Sequence, residues 1–351
     1  MATWPRTADG IAPLPGQTDN QTDDQTAADH VAGPQDGRLA AAQALLDRVK
    51  LSPQETARRF DAVLDMQHWR RLVPFATVEA PEAAGGDVRI AADEADRERR
   101  RIDEDGYFHL NNVFDPERIG RMRRIVEAVR ADGWPAVFAF VFDDFWTIAR
   151  SPRLLGFLET SLGEACLQNT VVWVHWVAGA RGGAGWHPHV DANGLGAAFL
   201  SAWIPLSDAT VDNGCMFLVR PGAMTDEVAE ALDARAALPY AAYRDLLHNV
   251  VALPAPAGSL IGWRGDVLHW GGNNAGAVQP RVSMALEFRS RDAEATDFEW
   301  PLIDPRAPVP AFQLRLFAIA KALKEYSKFE PLVSRFLPLA ERLWSHTKPA
   351  R

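Results

Sequence analysis

The chain has 351 residues, 47% of them hydrophobic, enough apolar surface for one large domain with additions or for two modest ones. A formal net charge of −9 argues against non-specific binding to nucleic acid or to anionic membrane, and no apolar run is long enough to span a bilayer. Cys166 and Cys215 are too few for a disulfide framework, and no basic-then-apolar leader opens the chain, so the expected setting is a reducing cytoplasm.

Residues 1–37 are rich in Asp, Gln, Thr, Ala, Gly and Pro; such a segment buries too little apolar surface to offset its ordering entropy, and a disordered tail is expected. Residues 38–104 read as a helical extension and linker. Leu45, Leu46 and Val49, then Phe60, Val63 and Leu64, recur at helical spacing, and Ser52-Pro53 is a helix start. The charged run Asp93–Asp105 reads as a solvated linker or helix. A short strand is expected over Tyr107–Val113. Asp115-Pro116-Glu117 then opens a helix through Ile119, Met122, Ile125, Val126 and Val129, and Ser151-Pro152 opens another through Leu162.

After Gln168 the character changes to short β-branched and aromatic runs. Strands are expected at 171–177, 198–206, 216–219, 250–253, 260–263, 267–270 and 282–289, with Asn213-Gly214 as a hairpin turn. A helical insert falls at about 226–247. The fold class is therefore mainly β with flanking helices (α+β), a sandwich or jelly roll, with the main domain over 105–300. Residues 301–351 return to helical spacing, as a packing pair, a lid or a dimer surface; the oligomeric state stays open.

Within that β-rich half lies Trp186-His187-Pro188-His189-Val190-Asp191. Residues i and i+2 of a strand share a face, so His189 and Asp191 would project together into one cavity. They would supply two of the three ligands of a 2-His-1-carboxylate metal site, although an isolated H-x-D is equally a salt-bridged surface pair. Downstream, His269 ends an apolar run and supplies a third ligand. Arg281-Val-Ser283 then places a guanidinium and a hydroxyl on one strand face, a pair suited to gripping a carboxylate.

This order of motifs resembles the Fe(II)/2-oxoglutarate-dependent oxygenases, and within them the phytanoyl-CoA dioxygenase branch. Asp105–Ile119, Trp203–Cys215 and Arg220-Pro-Gly222 extend the resemblance, which runs from about Asp105 to Arg289. It implies a double-stranded β-helix in which His189, Asp191 and His269 bind Fe(II), and Arg281 with Ser283 holds the far carboxylate of 2-oxoglutarate. It also implies dioxygen as co-reactant, release of succinate and carbon dioxide, and hydroxylation of an unactivated C–H bond in a small molecule. Desaturation, rearrangement or demethylation on the same site is an alternative; a cupin-like ligand-binding barrel without redox turnover is another. Related halogenases have a small residue in place of the metal carboxylate; the intact Asp191 implies oxygenation instead.

His187 could form a cupin-like pair with His189, but Asn193-Gly-Leu-Gly stands where a cupin would have a glutamate. It is therefore read as a residue beside the metal or facing substrate, with simple packing as the alternative. His175 is either a hydrogen-bond partner of the cosubstrate or a core histidine. Trp203, Trp270 and Asn273 lie near the motifs and either shape the pocket or fill the core.

Overall fold

From Leu167 onward the apolar alternation of the sequence becomes two antiparallel sheets in the computed structural model of the chain. The structure describes residues 50–80, 88–163, 165–181, 183–191, 195–225, 228, 230, 239–328 and 330–349. The expected tail over 1–37 and the helical spacing through Leu45–Val49 lie outside these residues. β1 (Tyr107–Leu110), β2 (Leu167–Val177), β4 (Phe199–Pro205), β7 (Leu260–Arg264) and β9 (Arg281–Arg289) form the larger sheet, in the order β1-β7-β4-β9-β2. β3 (Trp186–His189), β5 (Met216–Val219), β6 (Val250–Leu253) and β8 (His269–Gly271) form the smaller, in the order β3-β8-β5-β6.

Period-two geometry sorts the side chains of the larger sheet into two cores. Leu200, Ala202 and Ile204 of β4, and Val282, Met284, Leu286 and Phe288 of β9, face a core shared with the helices. Trp203 of β4 and Ile261 and Trp263 of β7 face the other way, meeting Met216 and Leu218 of β5 and Leu253 of β6. That second core lies between the sheets, which makes the architecture a double-stranded β-helix, or jelly roll.

The helices carry the start signals expected of them. α1 (Pro53–Leu64) is capped by Ser52, whose hydroxyl accepts from the Glu55 N–H at 3.1 Å; α2 (Met66–Leu72) follows directly. The charged run forms α3 (Ala92–Asp105). It is anchored through the buried Glu98, which accepts from the His109 N–H and from Arg101, each at 2.9 Å. α4 (Pro116–Ala131) is capped by Asp115, and α5 (Pro152–Leu162) buries Leu154, Leu155 and Leu158. Of the expected insert, α6 (Tyr240–His248) is described, and most of 226–238 lies outside the described residues. α7 (Phe312–Tyr326), α8 (Pro331–Ser334) and α9 (Leu337–Thr347) follow β9; α7 packs on β2 and α9, and α9 packs on α1.

α7 is buried on nearly every side, and its two interior cations are individually satisfied. Arg315 pairs with Asp143 at 2.6 Å, and the Lys321 ammonium donates to the Trp300 carbonyl and to the Thr170 hydroxyl. The body of this helix is interior packing rather than an outer surface. Among the described residues no helix is long and apolar enough to cross a membrane.

Two local expectations need correction. Asn213-Gly214 does not close a hairpin, because β4 and β5 belong to different sheets. The pair turns a corner between the sheets, where the Asn213 carboxamide accepts from the Thr210 N–H at 2.7 Å and donates to the Asp208 carbonyl at 2.8 Å. The metal motif is also not wholly a strand: β3 ends at His189, and Asp191 lies just beyond it.

Gly262, in the middle of β7, is held tightly. A Cβ there would come within 2.3 Å of the Phe108 ring and 2.4 Å of the Ser201 carbonyl oxygen, and neither a central strand nor a packed ring yields that distance. Gly262→Ala should therefore destabilise the fold by about 1–3 kcal/mol. A lowered midpoint in urea or thermal unfolding checks this; an unchanged midpoint would show that the sheet is looser than its spacing indicates.

Candidate active site

β3 and β8 pair so that His189 stands directly opposite His269, with ring centroids 4.3 Å apart. Each ring is fixed in the same way. Nδ1 of His189 lies 2.9 Å from the His187 carbonyl, and Nδ1 of His269 lies 3.0 Å from the Val267 carbonyl. A carbonyl only accepts, so both Nδ1 atoms carry the proton and both Nε2 lone pairs are free to bind. Asp191 Oδ1 is 3.3 Å from His189 Nε2 and 3.6 Å from His269 Nε2, and one donor atom from each residue lies within 4.8 Å of the others. Ligands bound at about 2.1 Å and at right angles are about 3 Å apart, so two imidazoles and a carboxylate at this spacing fit a divalent ion.

The other Asp191 oxygen is held from the larger sheet: Oδ2 accepts from the Ser201 hydroxyl and from Trp263 Nε1, the latter at 2.9 Å. Burial works to raise this carboxyl, but the two histidines and Ser201 outweigh it and hold it below the ordinary carboxylate range. Burial pushes His269 down to about 4, so it stays neutral at pH 7. Burial is also the largest single effect on His189, yet the bond and the charge of Asp191, with the backbone of His187 and His269, together outweigh it and raise this histidine above its ordinary value. Protons therefore compete with a metal at His189 first as pH falls.

At the other end of the cavity Arg281 is 1% exposed. Its Nε donates to the Gly214 carbonyl at 2.9 Å and one Nη to the Ser283 hydroxyl at 2.7 Å. The remaining Nη is buried without a hydrogen-bond partner, and among the described residues no carboxylate lies within ion-pair reach. Burial lowers this guanidinium to about 10. An unpaired cation in such a place is costly unless a ligand carboxylate completes it. Gly271 makes the space: a Cβ on it would lie 2.9 Å from the Arg281 guanidinium.

The profile of the phytanoyl-CoA dioxygenase family (PhyH) matches residues 102–283, just over half of the chain. The chain belongs to the phytanoyl-CoA dioxygenase family. It is thereby a non-haem Fe(II)/2-oxoglutarate-dependent oxygenase. No curated protein matches the chain. Similar solved structures include the non-haem α-ketoglutarate-dependent epimerase SnoN from nogalamycin biosynthesis, at 21% identity and TM-score 0.46, covering 57% of this chain and 84% of that one. The ThoJ monooxygenase–Ni complex is similar at 20% identity and TM-score 0.47, over 68% and 99% of the two chains. EctD from S. alaskensis, with 2-oxoglutarate and 5-hydroxyectoine, is similar at 14% identity and TM-score 0.46, over 68% and 99%.

In this family member the cavity has an empty volume of about 570 Å³ with its mouth included, and its wall holds His189, Asp191, His269, Arg281, Ser283, His175 and Trp203. His175 stands opposite Ser283 on the paired strand, and its Nε2 is 3.2 Å from a Glu330 carboxylate oxygen. Trp203 lies beneath Arg281, with the guanidinium 5.6 Å from its ring centroid. Three other candidates, Trp270, Asn273 and His187, are not among the residues that line the cavity. Trp270 follows His269 on β8, so parity turns it to the opposite face, where it stacks on Phe217 at 5.6 Å. Asn273 serves as a loop clamp, accepting from the Gly185 N–H at 2.7 Å. The His187 ring is exposed and stands beside the site, its centroid 5.2 Å from that of His189, and its carbonyl fixes the His189 ring.

Sequence reading missed Ser201, Trp263, Glu287 and Tyr326, all in the cavity wall. A serine within the apolar run Phe199-Leu-Ser-Ala-Trp-Ile204 was the available signal for Ser201, and the parity shared with Arg281 and Ser283 was the signal for Glu287; nothing local marks Tyr326. Because Ser201 and Trp263 orient the Asp191 carboxylate, Trp263→Phe combined with Ser201→Ala should weaken divalent-metal affinity by about 10- to 100-fold. Metal titration by calorimetry checks this, and an unchanged affinity would mean that Asp191 is oriented without them.

Proposed function

We propose that His189, Asp191 and His269 hold Fe(II), that Arg281 with Ser283 binds the far carboxylate of 2-oxoglutarate, and that the enzyme hydroxylates a C–H bond of a small molecule. The observation that carries this reading is Arg281: a buried cation with one free nitrogen, in the same cavity as three metal-competent donors. When bound, Fe(II) supplies the redox chemistry with dioxygen and 2-oxoglutarate, which leaves as succinate and carbon dioxide. The protein's part is positioning. The Nδ1 bonds of His189 and His269 aim their Nε2 lone pairs, Ser201 and Trp263 hold Asp191, and Trp173, Trp186 and Trp203 line the cavity with apolar surface that limits water. The acidic chain and its two separate buried cysteines support a cytoplasmic setting.

The test is succinate formation from 2-oxoglutarate, dependent on added Fe(II), with product analysis distinguishing hydroxylation from desaturation, rearrangement or demethylation. His269→Ala should abolish both metal binding and succinate formation while circular dichroism stays unchanged; full activity would remove the ligand assignment. A ligand-binding barrel without turnover would release no succinate under any condition.

Arg281→Ala should raise the 2-oxoglutarate requirement steeply, because loss of a desolvated charge-assisted pair costs on the order of 2–5 kcal/mol. Metal affinity should change little. An unaltered 2-oxoglutarate dependence would place the anchor elsewhere.

With Asp191 filling the third protein-ligand position, a halide has no place beside the metal. Turnover in bromide-rich buffer should yield oxygenated product without a bromine isotope pattern in mass spectrometry, and such a pattern from the unmutated protein would overturn the role given to Asp191.

A further inference from the structure

Arg281, Ser283 and the metal-competent triad leave one carboxyl group of the cavity wall, among the described residues, without a task. Glu287 lies on the same inward row of β9 as Arg281 and Ser283, opposite Ser201 of β4, and so on the side of the cavity nearer Asp191. Its Oε2 accepts from the Asn169 side-chain amide at 3.0 Å, and its Oε1 accepts nothing among the described residues. Among the described residues no cation lies within ion-pair distance of Glu287. Glu299 pairs with Arg289 at 2.6 Å, and Lys321 is held by Thr170 and the Trp300 carbonyl. The adjoining wall is aromatic: Trp173 and Tyr326 have ring centroids 3.9 Å apart, and Trp186 stands 5.2 Å from Tyr326.

We propose that Glu287 and this aromatic wall form the substrate subsite, and that the substrate presents an ammonium group there. The inference rests on the functional reading above. A carboxylate facing a cavity accepts hydrogen bonds and offers none, and aromatic faces attract cations. A substrate carboxylate at this end would instead meet both Glu287 and Asp191. Burial, followed by the nearby Asp191 charge, pushes the Glu287 carboxyl up to about 8 against the opposing pull of Asn169 and Lys321, and an ammonium bound beside it would draw it back into the carboxylate form.

The test uses the full chain loaded with Fe(II) and 2-oxoglutarate under nitrogen, so that binding is read without turnover. Calorimetry compares three probes of one shape: 3-phenylpropylammonium, 3-phenylpropanol and 3-phenylpropanoate. The ammonium should bind at least about tenfold more tightly than the alcohol, and the carboxylate most weakly. Glu287→Gln should remove the preference for ammonium while metal and 2-oxoglutarate affinities stay at the unmutated values. An ammonium that binds no better than the alcohol, or a Gln variant that keeps the preference, overturns the proposal. Should the variant not fold, the three-probe comparison on the unmutated protein decides alone. Failure of the unmutated protein to bind Fe(II) and 2-oxoglutarate would overturn the preceding functional reading instead, and the two failures are read in separate titrations.

Discussion

The register of β9 is the constraint on which the rest of the molecule depends. The strand is hydrogen-bonded to β4 on one side and β2 on the other, and Val282, Met284, Leu286 and Phe288 are all fully buried against the helices. Burial of side chains of this size contributes roughly 1.5–3 kcal/mol each, which locks the phase of the strand. Arg281, Ser283 and Glu287 are then forced into the space between the sheets. A slip of one residue would drive a guanidinium and a carboxylate into the helix-side core, where unpaired charge is expensive. The same apolar row that glues sheet to helices therefore fixes the polar row of the cavity.

The site itself is divided between the sheets. The smaller sheet gives both imidazoles, through one cross-strand pair whose rings are held by identical bonds to carbonyls two residues back. The larger sheet gives Arg281 and Ser283. Asp191 lies on the seam: its backbone follows β3, yet its carboxylate is gripped by Ser201 and Trp263 across the cavity. Its position thus reports on the spacing of the two sheets, and relative movement of the sheets would be felt at this carboxylate before either histidine.

What could be read from the sequence is what local periodicity encodes. Arg281-x-Ser283 is a short-range strand pattern, and an i, i+2 argument needs only the chain itself; His189-x-Asp191 was legible as a ligand pair, although Asp191 lies beyond the strand and its carboxylate is placed by Ser201 and Trp263. Trp270 shows the same rule neglected: adjacent to His269, it had to point the other way. Ser201 and Trp263 enter the cavity through strand pairing, which depends on register between distant segments, whereas Glu287 shares the parity of Arg281 and Ser283 and was open to the same i, i+2 rule. Tyr326 enters through the end of a helix that, read alone, is only amphipathic. Asn213-Gly214 carried a true turn signal, but a turn signal does not say whether the next strand returns to the same sheet.

The Tyr326 ring lies against Trp173, so α7 supplies part of the cavity wall. During synthesis the three metal-competent residues and Arg281 leave the ribosome well before Tyr326 does. A chain that ends before α7 would therefore carry every donor of the site and lack this part of the cavity wall.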